Sequence, residues 1–297
     1  DGFRSLLESR LRPIGSPDRM NRAGTILFES LRPWLQMPRA LLDRVVESID
    51  ESIEEQRERD PFRRDPELIA KLLPLLRAID AYFGSELRGW HNVPEEGPCL
   101  VVGNHSGGVM TMDPVPFLVR WIESRGPQAP LYGLAYDLLF AYPVLGPLLP
   151  RLGMLPASRE NARRALARGA AVMVFPGGDY EVFRPWSERN RIRFQGRRGF
   201  VELALALGVP VVPMTIHGAH ESTLVLTRGH QLAVEAGFER LQVKTFPFIW
   251  NIPFGVTPGF IPSLPLPAKV TVEIGEALDW SQHPRSAAND PAIVNAC

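Results

Sequence analysis

A histidine and an aspartate stand close together in the chain, and their side chains together could move a proton. His105 follows an apolar run, and Asp113 comes eight positions later. A histidine exchanges a proton near neutral pH, and a carboxylate can hold its other ring nitrogen in the useful tautomer. The pair predicts a general base, His105, with Asp113 as the residue that orients its ring.

Two other interpretations of these residues stay open. Asp113 precedes Pro114 and an apolar segment, which is typical of a helix N-cap followed by proline at the first helical position. Ser106 has the chemistry of a nucleophile beside a histidine. The sequence nevertheless contains no G-x-S-x-G, the pattern that exposes such a serine on a strand–helix turn.

The elements around the pair must place it at the edge of a sheet. The apolar run Leu100–Val102 predicts a buried strand, and Pro114–Glu123 predicts a helix. In open α/β sheets, ligands bind beyond the carboxyl ends of the strands. The loop between the two elements therefore supplies candidate substrate-binding residues, namely Asn104, Ser106, Gly107 and Gly108.

A second glycine loop follows another predicted buried strand, Ala171–Phe175. Its Pro-Gly-Gly sequence lets backbone amides approach a ligand because no side chain intervenes. We expect the two loops to share one cleft and their amides to be candidate donors to an oxyanion. The alternative is a tight turn with solvated charges. The candidate binding residues here are Phe175, Pro176, Gly177, Gly178, Asp179 and Glu181.

Arginines are concentrated after the second loop, at Arg184, Arg189, Arg191, Arg193, Arg197 and Arg198. Guanidinium groups bind phosphate well, so the cluster indicates a nucleotide phosphate or a lipid headgroup. A solvated loop surface explains the same spacing equally well. We take Arg184 and Arg193 as the candidate substrate-binding members.

Two further histidines, His217 and His220, follow the predicted strand Val209–Ile216. The H-E-x-x-H type of zinc site places its histidines four residues apart on one face of a helix. Here the spacing is three and a glycine lies between them, in a predicted loop. We therefore expect no metal, and we place His217 at the rim of a substrate pocket.

The order of elements predicts the fold class. Residues 1–87 show helical patterns, with helices expected over 18–31, 42–53 and 66–83, whereas strands and helices alternate from residue 90 onward. The sequence predicts an α/β domain over 88–297, with a mainly parallel central sheet flanked by helices, and an N-terminal helical extension over 1–87. The extension either caps the domain or contacts a membrane surface, since Trp34 lies among arginines.

Composition excludes some classes of protein. Lys+Arg and Asp+Glu number 33 each in 297 residues, so bulk charge does not favour nucleic acid as a partner. Two cysteines make no disulfide framework and no zinc spacing, which favours a reducing compartment. We see neither a signal peptide nor an apolar run long enough to span a bilayer. We expect a cytoplasmic protein, peripheral on the inner face of a membrane.

Five short sequences occur in an order that resembles the glycerolipid acyltransferase superfamily, which contains lysophosphatidate and glycerol-phosphate acyltransferases. The resemblance covers roughly residues 88–280. The segments that carry it are Gly89–Pro94 leading into Val101–Ser106, then Arg151–Arg159, Val174–Gly178, Val209–Pro213 and Val272–Glu276.

The resemblance implies an acyl-CoA-dependent O-acyltransferase that acts on the hydroxyl of a glycerolipid or related lipid alcohol. His105 would be the general base and Asp113 its partner, and Arg159, in the second motif, would help to bind the acceptor. Acyl-CoA would be a co-substrate, with no bound cofactor, and the enzyme would work at a membrane surface. The apolar segments 138–150 and 246–265 would line the acyl-chain tunnel; the second would otherwise dip into the bilayer or pack on the core as a proline-rich loop.

Two departures from the family pattern narrow this expectation. The family usually has four residues between the histidine and the aspartate, whereas here there are seven. Phosphate-acceptor members usually read Phe-Pro-Glu-Gly-Thr-Arg, whereas Gly177 and Tyr180 replace the glutamate and the arginine. The second departure resembles the branch that acylates neutral alcohols such as diacylglycerol. A catalytically silent lipid-binding protein of the same fold, and a serine hydrolase using Ser106, remain as alternatives.

Overall fold

The computed structural model describes residues 39–108, 112–230, 245–252, 254–259 and 264–297. The helix expected over 18–31 and the predicted membrane contact at Trp34 lie outside the described residues.

Two helices precede the sheet, as the sequence predicts. They are α1 (Arg39–Glu58) and α2 (Pro66–Tyr82). Asp65 caps α2, because its carboxylate accepts a hydrogen bond from the Leu68 amide at 3.0 Å, and proline follows as the first helical residue. Phe83, the C-cap that follows the last helical residue, is buried in the main core. This packing fixes the helix directly against the α/β domain.

The central sheet has seven strands, in the order β1-β10-β6-β2-β5-β3-β4. All its neighbouring pairs are parallel except β10 with β6, which confirms the mainly parallel α/β fold. The proposed domain boundary at 87/88 falls within the first strand and stays a prediction. The strands are β1 (Glu86–Arg88), β2 (Leu100–Gly103), β3 (Leu131–Ala135), β4 (Met154–Pro156), β5 (Ala171–Val174), β6 (Val211–His217) and β10 (Thr271–Ile274).

Helices connect these strands and cover both faces of the sheet. In chain order they are α3 (Val115–Arg125), α4 (Asp137–Phe140), α5 (Leu145–Leu148), α6 (Arg159–Ala167), α7 (Gly178–Val182), α8 (Gly199–Leu207) and α9 (Pro291–Ala296). The predicted cap Ser158 accepts a hydrogen bond from the Asn161 amide at 3.0 Å, and Gly208 ends α8 with a left-handed backbone. Both details follow from the sequence.

The alternation of side chains along β2 divides the core in two. Val101 faces a layer that includes Phe117 and Trp121 of α3, whereas Leu100 and Val102 face a layer with α6 and α8. Phe117 is completely buried. Burying such a side chain contributes about 1.5–3 kcal/mol, so the two layers hold the carboxyl end of β2 firmly in place.

A second sheet, three-stranded and antiparallel, differs from the sequence prediction for 246–265, which is a tunnel wall, a bilayer contact or a proline-rich loop. It consists of β7 (Leu224–Thr227), β8 (Phe248–Asn251) and β9 (Gly255–Pro258). Among the described prolines of this region, Pro247 precedes β8 and Pro258 is the last residue of β9, and proline is tolerated at such strand ends. No helix in the described ranges is both long and apolar enough to cross a membrane.

Candidate active site

The predicted acid–base pair is assembled at the carboxyl edge of the central sheet. His105 Nδ1 lies 2.8 Å from Asp113 Oδ2, and the Ser106 amide donates to the same oxygen at 2.6 Å. The aspartate is fully buried, whereas the histidine side chain is 17% exposed. This arrangement leaves Nε2 as the ring nitrogen that can accept a proton from a substrate.

Asp113 does not cap the following helix. Helix α3 begins at Val115, its N-cap is Pro114, and no side chain caps it. The capping interpretation is therefore wrong, because the carboxylate is turned back to the histidine loop. Seven intervening residues still allow this contact; among them, Gly107 and Gly108 have positive φ angles, which permit a sharp turn.

The loop after β2 is tied to neighbouring elements on several sides. Asn104, the residue after β2, links the loop to β6. Its side-chain amide donates to the Ile216 carbonyl at 2.9 Å, and its side-chain oxygen accepts from the Ile216 amide at 2.7 Å. The Thr223 hydroxyl donates to the Gly107 carbonyl at 3.0 Å. These bonds fix the loop before any ligand arrives, which is the preorganisation that acid–base chemistry requires.

The ring of His105 is also held from one side by Phe175, the residue after β5. The two rings are stacked, with centroids 4.5 Å apart and an interplanar angle of 14°. Gly103 makes room for this contact, since a Cβ there would lie 2.9 Å from the Phe175 ring and from the Met214 side chain. The two glycine loops therefore meet at the histidine, whereas a substrate cleft shared by both loops stays a prediction.

Glu181 lies behind the histidine loop and is 1% exposed. Its carboxylate accepts from the His105 amide at 3.0 Å, from the Arg193 amide at 3.2 Å and from the Arg184 guanidinium at 3.2 Å. Burial raises the pKa of this carboxyl, and the two amides and the arginine oppose the rise. The position suits a residue that holds the loop; substrate contact by Glu181 stays a prediction.

Gly177 explains how this glutamate reaches the loop. A Cβ at Gly177 would lie 2.3 Å from Glu181 Oε2, so any side chain there would displace the carboxylate. One turn of helix α7 brings Glu181 back over Gly177, four residues earlier. Position 177 thus lacks the glutamate of the family pattern, and the Glu181 side chain lies where a side chain at position 177 would begin.

The arginine cluster does not form one surface. Arg184 is 3% exposed, and burial lowers the pKa of its guanidinium against the raising effect of Glu181 and Asp113. Arg197 donates to the Pro176 carbonyl at 2.9 Å and lies 3.6 Å from Asp179. Arg184 is thus buried within the fold, whereas Arg197 holds the second loop while its side chain stays 41% exposed.

Two of the glycine amides expected to stabilise an oxyanion make bonds within the fold. The Gly108 amide donates to the Val182 carbonyl at 3.3 Å, and the Gly178 amide to the Phe175 carbonyl at 3.1 Å. The oxyanion role of the two loops stays a prediction. Gly178 has a positive φ, and a Cβ there would meet Arg197 at 2.6 Å, so the loop requires glycine for its shape.

The other predicted residues are dispersed. Arg159 is paired with Glu202 of α8 at 2.6 Å, with its side chain 72% exposed. His217 is exposed and lines a cavity of about 290 Å³ beside Asn104 and Ser106. The described residues contain no cluster of potential ligands that could hold a metal ion.

Sequence reasoning missed two residues that position the loops. Thr223 lies more than one hundred residues from the loop it binds, and no local pattern marks it. Arg197 was grouped with phosphate-binding arginines, whereas its guanidinium holds the second loop. The signal for Arg197 was the adjacent pair of glycines, which leaves space for a long side chain to lie against the backbone.

Comparisons with known proteins show what the chain is similar to. Residues 85–217 match the family model described as Acyltransferase. The chain is 31% identical over 243 residues to the uncharacterized protein Rv0502 of Mycobacterium tuberculosis strain H37Rv, covering 79% of this chain and 64% of that protein. The chain therefore spans a little under two thirds of the length of its mycobacterial relatives.

A vertebrate relative and a solved structure are more distant. The chain is 28% identical over 166 residues to the DGAT1/2-independent enzyme synthesizing storage lipids of Gallus gallus, covering 56% of this chain and 48% of that protein. The crystal structure of the 1-acyl-sn-glycerophosphate (LPA) acyltransferase, PlsC, from Thermotoga maritima superposes with a TM-score of 0.40 at 18% identity, covering 93% of this chain and 87% of that chain.

Proposed function

We propose that the chain, whose residues 85–217 match the family model described as Acyltransferase, transfers a long-chain acyl group from acyl-CoA to the hydroxyl of a lipid alcohol. The observation that carries the proposal is the contact of 2.8 Å between His105 Nδ1 and Asp113 Oδ2, at the edge of the sheet where the two glycine loops meet. A buried carboxylate behind a partly exposed imidazole is the arrangement of a general base.

The reaction follows from that geometry. Asp113 holds Nδ1 as a hydrogen-bond donor, so Nε2 takes the proton of the acceptor hydroxyl. The hydroxyl oxygen then attacks the thioester carbonyl, the C–S bond breaks, and the departing thiolate receives the proton from the imidazolium. The products are an ester and free CoA. The Asp113 carboxylate stabilises the transient imidazolium of His105, and the stacked Phe175 ring holds the orientation of the His105 ring.

The acceptor we propose is a neutral lipid alcohol such as diacylglycerol. Tyr180 stands where phosphate-acceptor enzymes have an arginine. The Arg228 guanidinium carbon lies 3.9 Å from the centroid of the Tyr180 ring, and its guanidinium forms a salt bridge of 3.1 Å with the Glu188 carboxylate. Two changes in the second loop, at positions 177 and 180, thus remove groups that would recognise a phosphorylated glycerol. The name of the Gallus gallus relative concerns the synthesis of storage lipids, which supports the same choice.

A membrane surface would supply such substrates, and the small sheet carries a suitable contact. Four exposed apolar residues, here called the apolar tip, surround the turn between β8 and β9: Trp250, Ile252, Phe254 and Leu264, at 40%, 48%, 63% and 74% exposure. Exposed apolar groups that lie together mark interaction sites. We propose that this tip inserts shallowly into a lipid interface, with the protein peripheral on the cytoplasmic face.

The test is release of free thiol from a long-chain acyl-CoA, with the purified chain and vesicles containing diacylglycerol, monoacylglycerol, lysophosphatidate or a fatty alcohol. The ester product is identified by mass. We expect His105→Ala to lose at least about 100-fold in rate. His283→Ala, in the segment after the last strand, is the matched control and is expected to keep wild-type activity. Thiol release by His105→Ala at the wild-type rate would contradict the proposal.

The alternatives predict different results. A catalytically silent lipid-binding protein retains lipid but releases no thiol, and His105→Ala leaves its lipid content unchanged. A serine hydrolase is labelled covalently at Ser106 by a fluorophosphonate, whereas direct transfer by a general base gives no labelled serine.

A further inference from the structure

A loop of residues 186–198, here called the arginine loop, lies between helices α7 and α8 at the carboxyl edge of the central sheet. It contains five arginines and a single glutamate, whereas the whole chain has as many basic as acidic residues. All five arginines are exposed: Arg189, Arg191, Arg193, Arg197 and Arg198. Positive charge is therefore concentrated on one side of a chain that has no net charge.

The glutamate of the loop does not neutralise this charge, because it is paired with an arginine outside the loop. Glu188 forms a salt bridge of 3.1 Å with Arg228. The hydrogen bond from Arg228 is the main cause that lowers the pKa of the Glu188 carboxyl, and the charges of nearby arginines add to it. Within the described ranges, no carboxylate forms a salt bridge with Arg189, Arg191 or Arg193. These three guanidinium groups are left to attract an anion from outside.

Apolar side chains are exposed among these arginines. Trp186 is 38% exposed and Ile192 is 53% exposed. The Arg189 guanidinium carbon lies 4.8 Å from the centroid of the Trp186 ring. A lipid surface suits this mixture, because anionic headgroups attract the arginines and the interface accepts the apolar groups. Nucleic acid would supply phosphates but no apolar environment for Ile192.

The arginine loop is joined to the small sheet that carries the apolar tip. Its first turn, Trp186–Glu188, packs against β7, and Arg228, the partner of Glu188, directly follows that strand. At the other end of β7, Leu224 pairs with Trp250 of the tip. The four residue steps along this strand span about 13 Å. Leu226 between them is 39% exposed, so the loop and the tip belong to one continuous surface.

We propose that the arginine loop binds the headgroups of anionic phospholipids in the bilayer that receives the apolar tip. The loop supplies the electrostatic part of the attachment, and the tip supplies the apolar part. Each arginine near an anionic surface strengthens binding about fivefold, and salt weakens this effect. The inference rests on the lipid contact in the proposed function and does not depend on acyl transfer.

Co-sedimentation of the purified chain with vesicles tests this proposal. Vesicles of phosphatidylcholine alone are compared with vesicles in which about one third of the lipid is phosphatidylglycerol. We expect about 100-fold tighter binding to the anionic vesicles, because three arginines without an acidic partner each contribute about fivefold. The difference should shrink as the salt concentration rises, since salt screens exposed charges.

Two double variants locate the contact. Arg191→Gln with Arg193→Gln should weaken binding to anionic vesicles about 25-fold and leave binding to neutral vesicles unchanged. The bond from the Arg193 amide to Glu181 is a backbone bond and is kept. Arg168→Gln with Arg285→Gln is the matched control, because it removes two exposed arginines at the opposite edge, before β5 and beside Gly208. This control should bind both kinds of vesicle as the wild type does, and circular dichroism checks the folding of each variant.

The outcomes separate this contact from other assignments. The proposal is overturned if the loop variant binds anionic vesicles as tightly as the control variant does. Tighter binding of single-stranded RNA than of anionic vesicles, lost in the loop variant, would assign the loop to nucleic acid and also overturn it. Charge-dependent vesicle binding without thiol release would refute the acyl transfer and leave the lipid contact of the loop standing.

Discussion

The carboxyl edge of the large sheet buries charged side chains, whereas the apolar tip of the small sheet exposes large apolar side chains to solvent. At the edge, the carboxylates of Asp113 and Glu181 are 0% and 1% exposed, whereas at the apolar tip Phe254 and Leu264 are 63% and 74% exposed. Charged side chains are rarely buried and large apolar ones rarely cluster in solvent, so both regions call for an explanation.

The two regions differ in where the compensation comes from. The buried carboxylates are compensated inside the chain, by backbone amides, by His105 and by Arg184. The apolar tip has no such internal compensation among its described side chains and requires an apolar surface from outside. Substitutions at the edge should therefore change catalysis and stability together, whereas substitutions at the tip should change lipid binding alone.

The largest expected effect is at Asp113. Asp113→Asn keeps the volume but no longer enforces the tautomer that frees Nε2 of His105, so we expect the kcat of thiol release to fall about 10²- to 10⁴-fold. Steady-state rates with saturating acyl-CoA measure this. An unchanged kcat would show that the buried carboxylate serves the fold only.

The next effect is at Glu181. Glu181→Gln replaces an acceptor of three hydrogen bonds by an amide and leaves Arg184 buried without its counter-charge, which typically costs about 3 kcal/mol or more in free energy of unfolding. Urea denaturation measures it. Glu188→Gln is the matched control; its side chain is 26% exposed and that of its partner Arg228 is 11% exposed, so the variant should lose less than Glu181→Gln does. Equal losses in the two variants would contradict the distinction between them.

A third prediction concerns the loss of stability at acidic pH. The pKa of His220 is lowered to about 4 in the folded chain from 6.5, so the unfolded chain takes up a proton first as the pH falls. The titration of His220 therefore does not change the free energy of unfolding above pH 6.5. Between pH 6.5 and pH 4 it lowers that free energy by up to about 3 kcal/mol.

The measurement is the difference in unfolding free energy between wild type and His220→Phe across that range. The difference should move in favour of the variant as the pH falls, because phenylalanine does not titrate. A difference that is independent of pH would mean that the ring titrates alike in both states.

The smallest effect on stability is expected at the apolar tip. Phe254→Ser with Leu264→Ser should change the free energy of unfolding by no more than about 0.5 kcal/mol per site, because both side chains are exposed. Binding to anionic vesicles should nevertheless fall about tenfold, as measured by co-sedimentation. Loss of stability without loss of vesicle binding would assign the tip to packing instead.

Local sequence was sufficient for strands β2, β5 and β6 and for the pairing of His105 with Asp113, whereas the short strands β1 and β4 were not predicted. Glycine and proline mark the ends of β2, β5 and α8, and the apolar runs between them have the composition of buried strands. The contact of His105 with Asp113 could be anticipated because both flank one short loop beyond a strand end.

The remaining features depend on contacts between distant segments. The small sheet pairs β7 with β8 across residues 228–247, and its prolines conceal the alternation of strands. The sequence around Asp113 fits a helix N-cap equally well. Only the structure shows that its carboxylate contacts His105 and not the start of the helix. The role of Glu181 depends on one helical turn that places its side chain against Gly177. No residue type in the sequence predicts this contact.

The most direct test of the central claim is a double-mutant cycle on kcat for acyl transfer, using His105→Ala, Asp113→Asn and the combined variant. If the aspartate acts only through the imidazole, the account predicts that the double variant is no slower than His105→Ala alone. Rate losses that multiply in the double variant would show that the two residues act independently, and would contradict the pair as the source of catalysis.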